Sequence, residues 1–168
     1  RDEESLNMYI VHMMGNHHNF TSRYPKEFEY FRVDDYLDKE EFQRGDFAAY
    51  DNSVRYNDSI VYEIMKTFNE ETIVIYFPDH AIDLYETDCD YLGHARANDV
   101  MSQKVGKSIP FFIYTNELFK KRYPVIVKKI ENSLNNSFNT ENIIYSLMDL
   151  VGVTFRDNND VERWSIFN

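Results

Sequence analysis

The hydrophobic positions of this chain switch repeatedly between the period of a strand and that of a helix. Positions 6–14 (Leu-Asn-Met-Tyr-Ile-Val-His-Met-Met) form a mostly apolar run that stops at Gly15, as a buried strand does. Positions 16–49 are polar and aromatic without a clear period, which predicts a long excursion with short helices at most. From 51 to 68, Val54, Ile60, Val61, Ile64, Met65 and Phe68 recur at helical spacing, with Asn57 the polar member of the stripe. That spacing predicts an amphipathic helix, capped by Asp51, Asn52 or Ser53. Positions 72–77 (Thr-Ile-Val-Ile-Tyr-Phe) are short, continuous and β-branched, as in a strand covered on both faces, and they end at Pro78. Positions 109–115 repeat the pattern, with Pro110 near the start. Pro124 opens a predicted helix to 133, and Thr140 caps another through 150 that Gly152 ends.

Strands alternating with helices and no internal repeat predict an α/β sandwich, a largely parallel sheet flanked by helices. In such sheets the active site lies at the carboxyl ends of the strands. The first predicted strand runs into His12, His17 and His18, and the second ends at Asp79-His80.

Composition narrows the partners. With 168 residues, 43% hydrophobic and 16% aromatic, the chain has enough apolar material for a packed core. Its 18 Lys+Arg against 29 Asp+Glu leave a net charge of -11, which predicts repulsion from nucleic-acid phosphates and from anionic membrane surfaces. No apolar run approaches the roughly 20 residues of a membrane-spanning helix. The chain opens on Arg-Asp-Glu-Glu, without Met or a signal peptide, and is expected to come from a longer polypeptide. Cys89 is alone, so no internal disulfide can form.

The candidate chemistry is imidazole and carboxylate. Together these donors suit zinc or manganese better than calcium. Asp79 and His80 would point apart on an extended strand, whereas a turn just past the strand lets both reach one ion; a turn aspartate beside a surface histidine is the plainer reading. His12 reads equally as a core histidine. His17 and His18, being adjacent, cannot easily share a ligand direction. His94 follows a loop rich in acids (Asp83, Glu86, Asp88, Asp90), most of which read as solvated. Val105-Gly106-Lys107-Ser108 lacks the upstream glycine of a phosphate-binding loop, where Met101 stands. Cys89, among acids, is a poor nucleophile.

In order along the chain, these blocks resemble the bacterial phosphoethanolamine transferases of the alkaline phosphatase/sulfatase superfamily. Val11-His12-Met13-Met14-Gly15-Asn16-His17 with Arg23-Tyr24-Pro25 is similar to that family's histidine–glycine–histidine block and its Arg-Tyr-Pro. Tyr50-Asp51-Asn52-Ser53 with Tyr56 and Asp58 resembles the helix that follows. Ile75-Tyr76-Phe77-Pro78-Asp79-His80 resembles its strand ending in Ser-Asp-His, and Leu92-Gly93-His94 its later histidine. Ile109-Pro110-Phe111-Phe112-Ile113 and Leu147-Met148-Asp149-Leu150-Val151-Gly152-Val153 complete the order.

The resemblance implies an alkaline phosphatase-like fold, with 1–168 as the C-terminal part of a periplasmic catalytic domain tethered to the bacterial inner membrane. It implies zinc, in preference to manganese or calcium, with Asp79 and His80 as ligands. His17 and His94 would line the substrate phosphate or hold a second metal, with His12 close by. The nucleophilic threonine, a further glutamate ligand and a membrane domain would precede residue 1, so the piece alone would be inactive. The implied reaction moves phosphoethanolamine from phosphatidylethanolamine to lipopolysaccharide or another surface glycan. A sulfatase or phosphodiesterase of the same superfamily is the alternative, and a non-catalytic relic the second. Two departures stand out: Ala81-Ile82 replace the family's Gly-Glu, and Asn16-His17-His18 its Ser-His-Gly. A sheet divided this way would expose strand edges, so the isolated piece is expected to dimerise or aggregate.

Overall fold

In a computed structural model of the chain, residues 7–153 and 163–168 are described, and the chain divides into two units, Arg1–Ile64 and Met65–Asn168. The architecture is α/β. The first unit is dominated by α1 (Glu41–Thr67), preceded by short 3-10 turns at Phe20–Ser22, Lys26–Phe28 and Val33–Tyr36. α1 begins well before the predicted 51. Its buried residues explain why: Gln43, Ala48, Ala49, Asn52, Ser53, Asn57 and Val61 are small or polar, so a search for large apolar residues at helical spacing misses them. Val54, placed by hydropathy on the inner face, is 38% exposed.

Asn52 organises this unit. At 1% exposure, its Oδ1 accepts from the Tyr30 and Phe31 amides at 2.7 and 2.9 Å, and its Nδ2 donates to the Phe31 carbonyl at 2.8 Å. The aromatic excursion is thus hydrogen-bonded to α1 through one amide side chain that sequence alone offers as a cap. Phe20, buried, meets the Tyr50 ring edge-on at 5.2 Å.

In the second unit, β1 (Ile73–Tyr76), β2 (Asp83–Leu84), β3 (Leu92–Gly93), α2 (Val100–Lys107), β4 (Phe112–Thr115), α3 (Glu117–Arg122), α4 (Pro124–Asn132) and α5 (Ile143–Val151) follow in order. β1 pairs with β4 antiparallel, Ile73 opposite Thr115 and Tyr76 opposite Phe112, while β2 pairs with β3. The ladder is extended by Asn116, whose Oδ1 accepts from the Thr72 amide at 3.1 Å and caps α3 at Phe119. Ile130, Ile166 and Phe167 form the core, with Ile73, Ile113, Ile126 and Leu150 packed against it. Gly152 closes α5 at φ 68°, a left-handed cap that a Cβ would disfavour.

Two expectations need correction. The largely parallel sheet is replaced, among the described residues, by two antiparallel pairs. Alternation of strand and helix implies parallel strands only when the connection is a crossover; here the chain between β1 and β4 forms a hairpin and a two-turn helix instead. The strand predicted over 6–14 is also not seen: its described residues have no regular structure, and Met8, Tyr9, Ile10, Val11 and Met14 are exposed. A strand needs a ladder partner, and no described residue of this chain supplies one. No helix among the described residues is long and apolar enough to cross a membrane.

Candidate functional site

β1 leads through Phe77 into Pro78, which has no N–H for a ladder and ends the strand. Asp79 and His80 follow on a turn, both exposed. The His80 amide donates to Asp79 Oδ1 at 3.0 Å, and His80 Nδ1 lies 2.9 Å from the Ala81 carbonyl oxygen. A ring nitrogen facing a carbonyl oxygen carries the proton, which leaves Nε2 as the free lone pair. That Nε2 stands 3.7 Å from Asp79 Oδ2. Two donors of a tetrahedral zinc ion stand about 3.3 Å apart, so a closing of a few tenths of an ångström, small for two exposed side chains, lets the pair share one ion. The turn therefore brings together two side chains that an extended strand would send to opposite faces. The His94 ring lies beside them, its centroid 4.5 Å from that of His80. Asp79 and His80 offer a carboxylate and an imidazole, donors suited to zinc, whereas the ligand atoms of Asp79, His80 and His94 do not all lie within 4.8 Å of one another.

His94 is placed by a backbone locked at several points. β2 and β3 set Asp83 opposite Gly93, the residue before His94. The Tyr91 hydroxyl donates to the His94 carbonyl at 2.6 Å, and the Ala81 amide donates to the Gly106 carbonyl at 2.9 Å. Gly106 is required by close approach: a Cβ there would lie 2.5 Å from the Ala95 Cβ.

At the centre is Asp83, with 0% exposure. Its Oδ1 accepts from the Glu86 and Thr87 amides at 3.0 and 3.3 Å, and its Oδ2 from the Thr87 hydroxyl and from Ser102 Oγ, the latter at 3.3 Å. Burial alone pushes the carboxyl up, but the Thr87 hydroxyl, the two amides and the Ser102 hydroxyl together hold it below the usual carboxylate range. Arg96 stitches the same loop: its guanidinium donates to Thr87 Oγ1 at 3.1 Å, pairs with Asp99 at 3.0 Å and lies over the Tyr91 ring. Sequence does not single out Asp83, which reads there as one acid in a solvated loop. The available signal is its spacing to Glu86 and Thr87, that of a side chain accepting from amides three and four residues on.

His12, His17 and His18 belong to the first unit, and all three are exposed. His12 is therefore not a core histidine. The His17 amide closes a turn on the Met14 carbonyl at 3.2 Å, next to Gly15 at φ 47°. Arg23 spans the turn, its Nε donating to the His17 carbonyl and its Nη2 to that of His18, each at 3.2 Å. The Arg of the Arg-Tyr-Pro block thus fixes the histidine backbone, while His18 lies edge-on to Phe20. Among the described residues, the trio of ligand-type side chains gathered within 4.8 Å is Asp88, Cys89 and Asp90, all exposed on the loop before β3.

A family model described as Sulfatase matches residues 3–153. Phosphoethanolamine transferase EptC of Escherichia coli (strain K12) is 26% identical over 92% of this chain and 27% of its own length. Phosphoethanolamine transferase EptA of Helicobacter pylori (strain ATCC 700392 / 26695) is 26% identical over 95% of this chain and 30% of its own. The chain thus spans less than a third of these curated relatives. Its fold is similar to the crystal structure of the C-terminal periplasmic domain of EcEptC from Escherichia coli, with a TM-score of 0.75 and 23% identity, covering 94% of this chain and 44% of that one.

Proposed function

The chain belongs to the Sulfatase family, and from that premise we propose that it is the C-terminal part of a phosphoethanolamine transferase. What supports this reading most is the match, over more than nine-tenths of the chain, to proteins named phosphoethanolamine transferases. The donor would be phosphatidylethanolamine and the acceptor a lipopolysaccharide or other surface glycan, with the whole protein held in the bacterial inner membrane and this domain facing the periplasm. In the first half-reaction a threonine hydroxyl, outside this chain, attacks the donor phosphorus; the bond to the diacylglycerol oxygen breaks and that oxygen takes a proton. In the second, an acceptor hydroxyl attacks the same phosphorus and the threonine oxygen leaves.

Asp79 and His80 would hold zinc, through Oδ2 and Nε2. When bound, such an ion neutralises phosphoryl oxygens and lowers the pKa of a nearby hydroxyl. This chain's own groups do the positioning: the His80 Nδ1 contact with Ala81 orients its ring, and His94, beside it, would line the substrate phosphate or hold a second metal. His17 and His12 carry the same assignment from the family resemblance.

The test is to offer the intact protein a fluorescent phosphatidylethanolamine. Diacylglycerol release beyond one equivalent per protein that requires a glycolipid acceptor supports transfer. Release without acceptor, with free phosphoethanolamine as product, makes the protein a hydrolase of the same family. No release from zinc-loaded protein makes it a non-catalytic relic.

A further inference from the structure

The loop that follows the candidate ligands carries a buried carboxylate that the proposed reaction does not use. Asp83 lies three positions beyond His80 in sequence and opposite Gly93 across the β2–β3 pair, so it sits between the segments that carry His80 and His94. Its two oxygens collect four hydrogen bonds from two segments: the turn at Glu86 and Thr87, through two amides and the Thr87 hydroxyl, and Ser102 in the first turn of α2. Ser102 is itself fully buried and accepts from the Arg96 amide at 2.9 Å. Arg96 returns to Thr87 and Asp99, and Asp99 caps α2 by accepting from the Ser102 amide at 3.0 Å. Every donor to Asp83 therefore belongs to the stretch from 86 to 102, which also carries His94.

We propose that Asp83 is a positioning residue for the Asp79–His80–His94 cluster, its carboxylate locking the 83–102 loop so that His94 is held against His80. This rests on the reading that Asp79 and His80 hold a divalent metal. The chemistry favours a carboxylate over an amide here, because the donors converging on Oδ2 are two hydroxyls, each of which also accepts from Arg96. An asparagine keeps the Oδ1 contacts but presents N–H groups to hydroxyls that already accept, so the knot loosens without losing a side chain of the same shape.

The experiment uses the full-length protein and zinc as the probe, with affinity read by competition against a chromophoric chelator and melting read on the zinc-free form. Asp83→Asn is expected to weaken zinc binding about 10- to 100-fold, the range for groups that orient metal ligands, with Ser102→Ala giving a smaller loss in the same direction. Phe119→Ala, buried on α3 and in neither group, controls for destabilisation: it should lower the melting temperature and leave zinc affinity within about threefold. Should Asp83→Asn fail to fold, Ser102→Ala decides. If Asp79→Ala abolishes zinc binding while Asp83→Asn and Ser102→Ala change only the zinc-free melting temperature, Asp83 is structural and the proposal is overturned. Zinc binding that is absent from wild type, or indifferent to Asp79→Ala, overturns the metal reading and this proposal with it.

Discussion

Around His17, in the first unit, the half-buried Arg23 makes solvent-exposed hydrogen bonds to two backbone carbonyls. Around His94, in the second, a carboxylate with no solvent exposure accepts four hydrogen bonds. Both devices fix a histidine-bearing turn, yet they differ in what they cost to disturb. The hydrogen bonds of Arg23 lie where solvent can replace them. Asp83 works where no solvent can replace it, so its neighbours are bound to one geometry. The candidate ligands Asp79 and His80, and His94 beside them, have the second kind of support nearby.

The largest expected effect is at the candidate ligands. Asp79→Ala in the full-length enzyme should lower kcat/KM by about a thousandfold, roughly 4 kcal/mol of transition-state stabilisation, with unchanged circular dichroism. A loss under threefold would detach the second unit's turn from the chemistry. Next comes Asn52→Ala, which strands two amides and a carbonyl around a buried cavity and should destabilise the first unit by about 3 kcal/mol in urea unfolding. A change below about 1 kcal/mol would mean that buried polar anchors matter less in this unit than in the other. Gly106→Ala drives a Cβ into Ala95 and is expected to cost about 2 kcal/mol, seen as a lower melting temperature.

Arg23→Ala should cost no more than about 1 kcal/mol, with faster hydrogen exchange confined to residues 17–23. Protection lost more widely would show that the exposed clamp holds its surroundings as firmly as the buried one. The smallest effect is a slope. Because the Asp83 carboxyl is held below its ordinary value, its contribution is fully present above the unfolded aspartate value of about 3.9 and is lost as pH falls through the folded one. Asp83→Asn should flatten the decline in melting temperature below that pH, and an unchanged acid slope would count against the role of the charge.

The sequence made some of this legible and hid the rest for physical reasons. A β-branched run stopped by proline and followed by Asp79-His80 placed candidate donors at a strand end, and β1 and its turn lie where that pattern puts them. Pro124 and Gly152 marked the start of α4 and the end of α5 by their own backbone constraints. The beginning of α1 stayed hidden because its inner face is alanine, asparagine and serine. Strand direction was misread because direction depends on the connection, which local periodicity does not encode. The run at 6–14 has the pattern of a strand without a described partner to make it one. Asp83 was invisible as an anchor because a buried carboxylate and a solvated one are the same letter; only its donors distinguish them.

X-ray absorption at the zinc edge, recorded on the full-length protein and on His80→Ala, reads the metal's donors directly. The expected spectrum has a nitrogen and oxygen shell near 2.0–2.1 Å with imidazole scattering that weakens when His80 is removed. A spectrum identical in both proteins, or zinc held by sulfur, would contradict the proposed ligands.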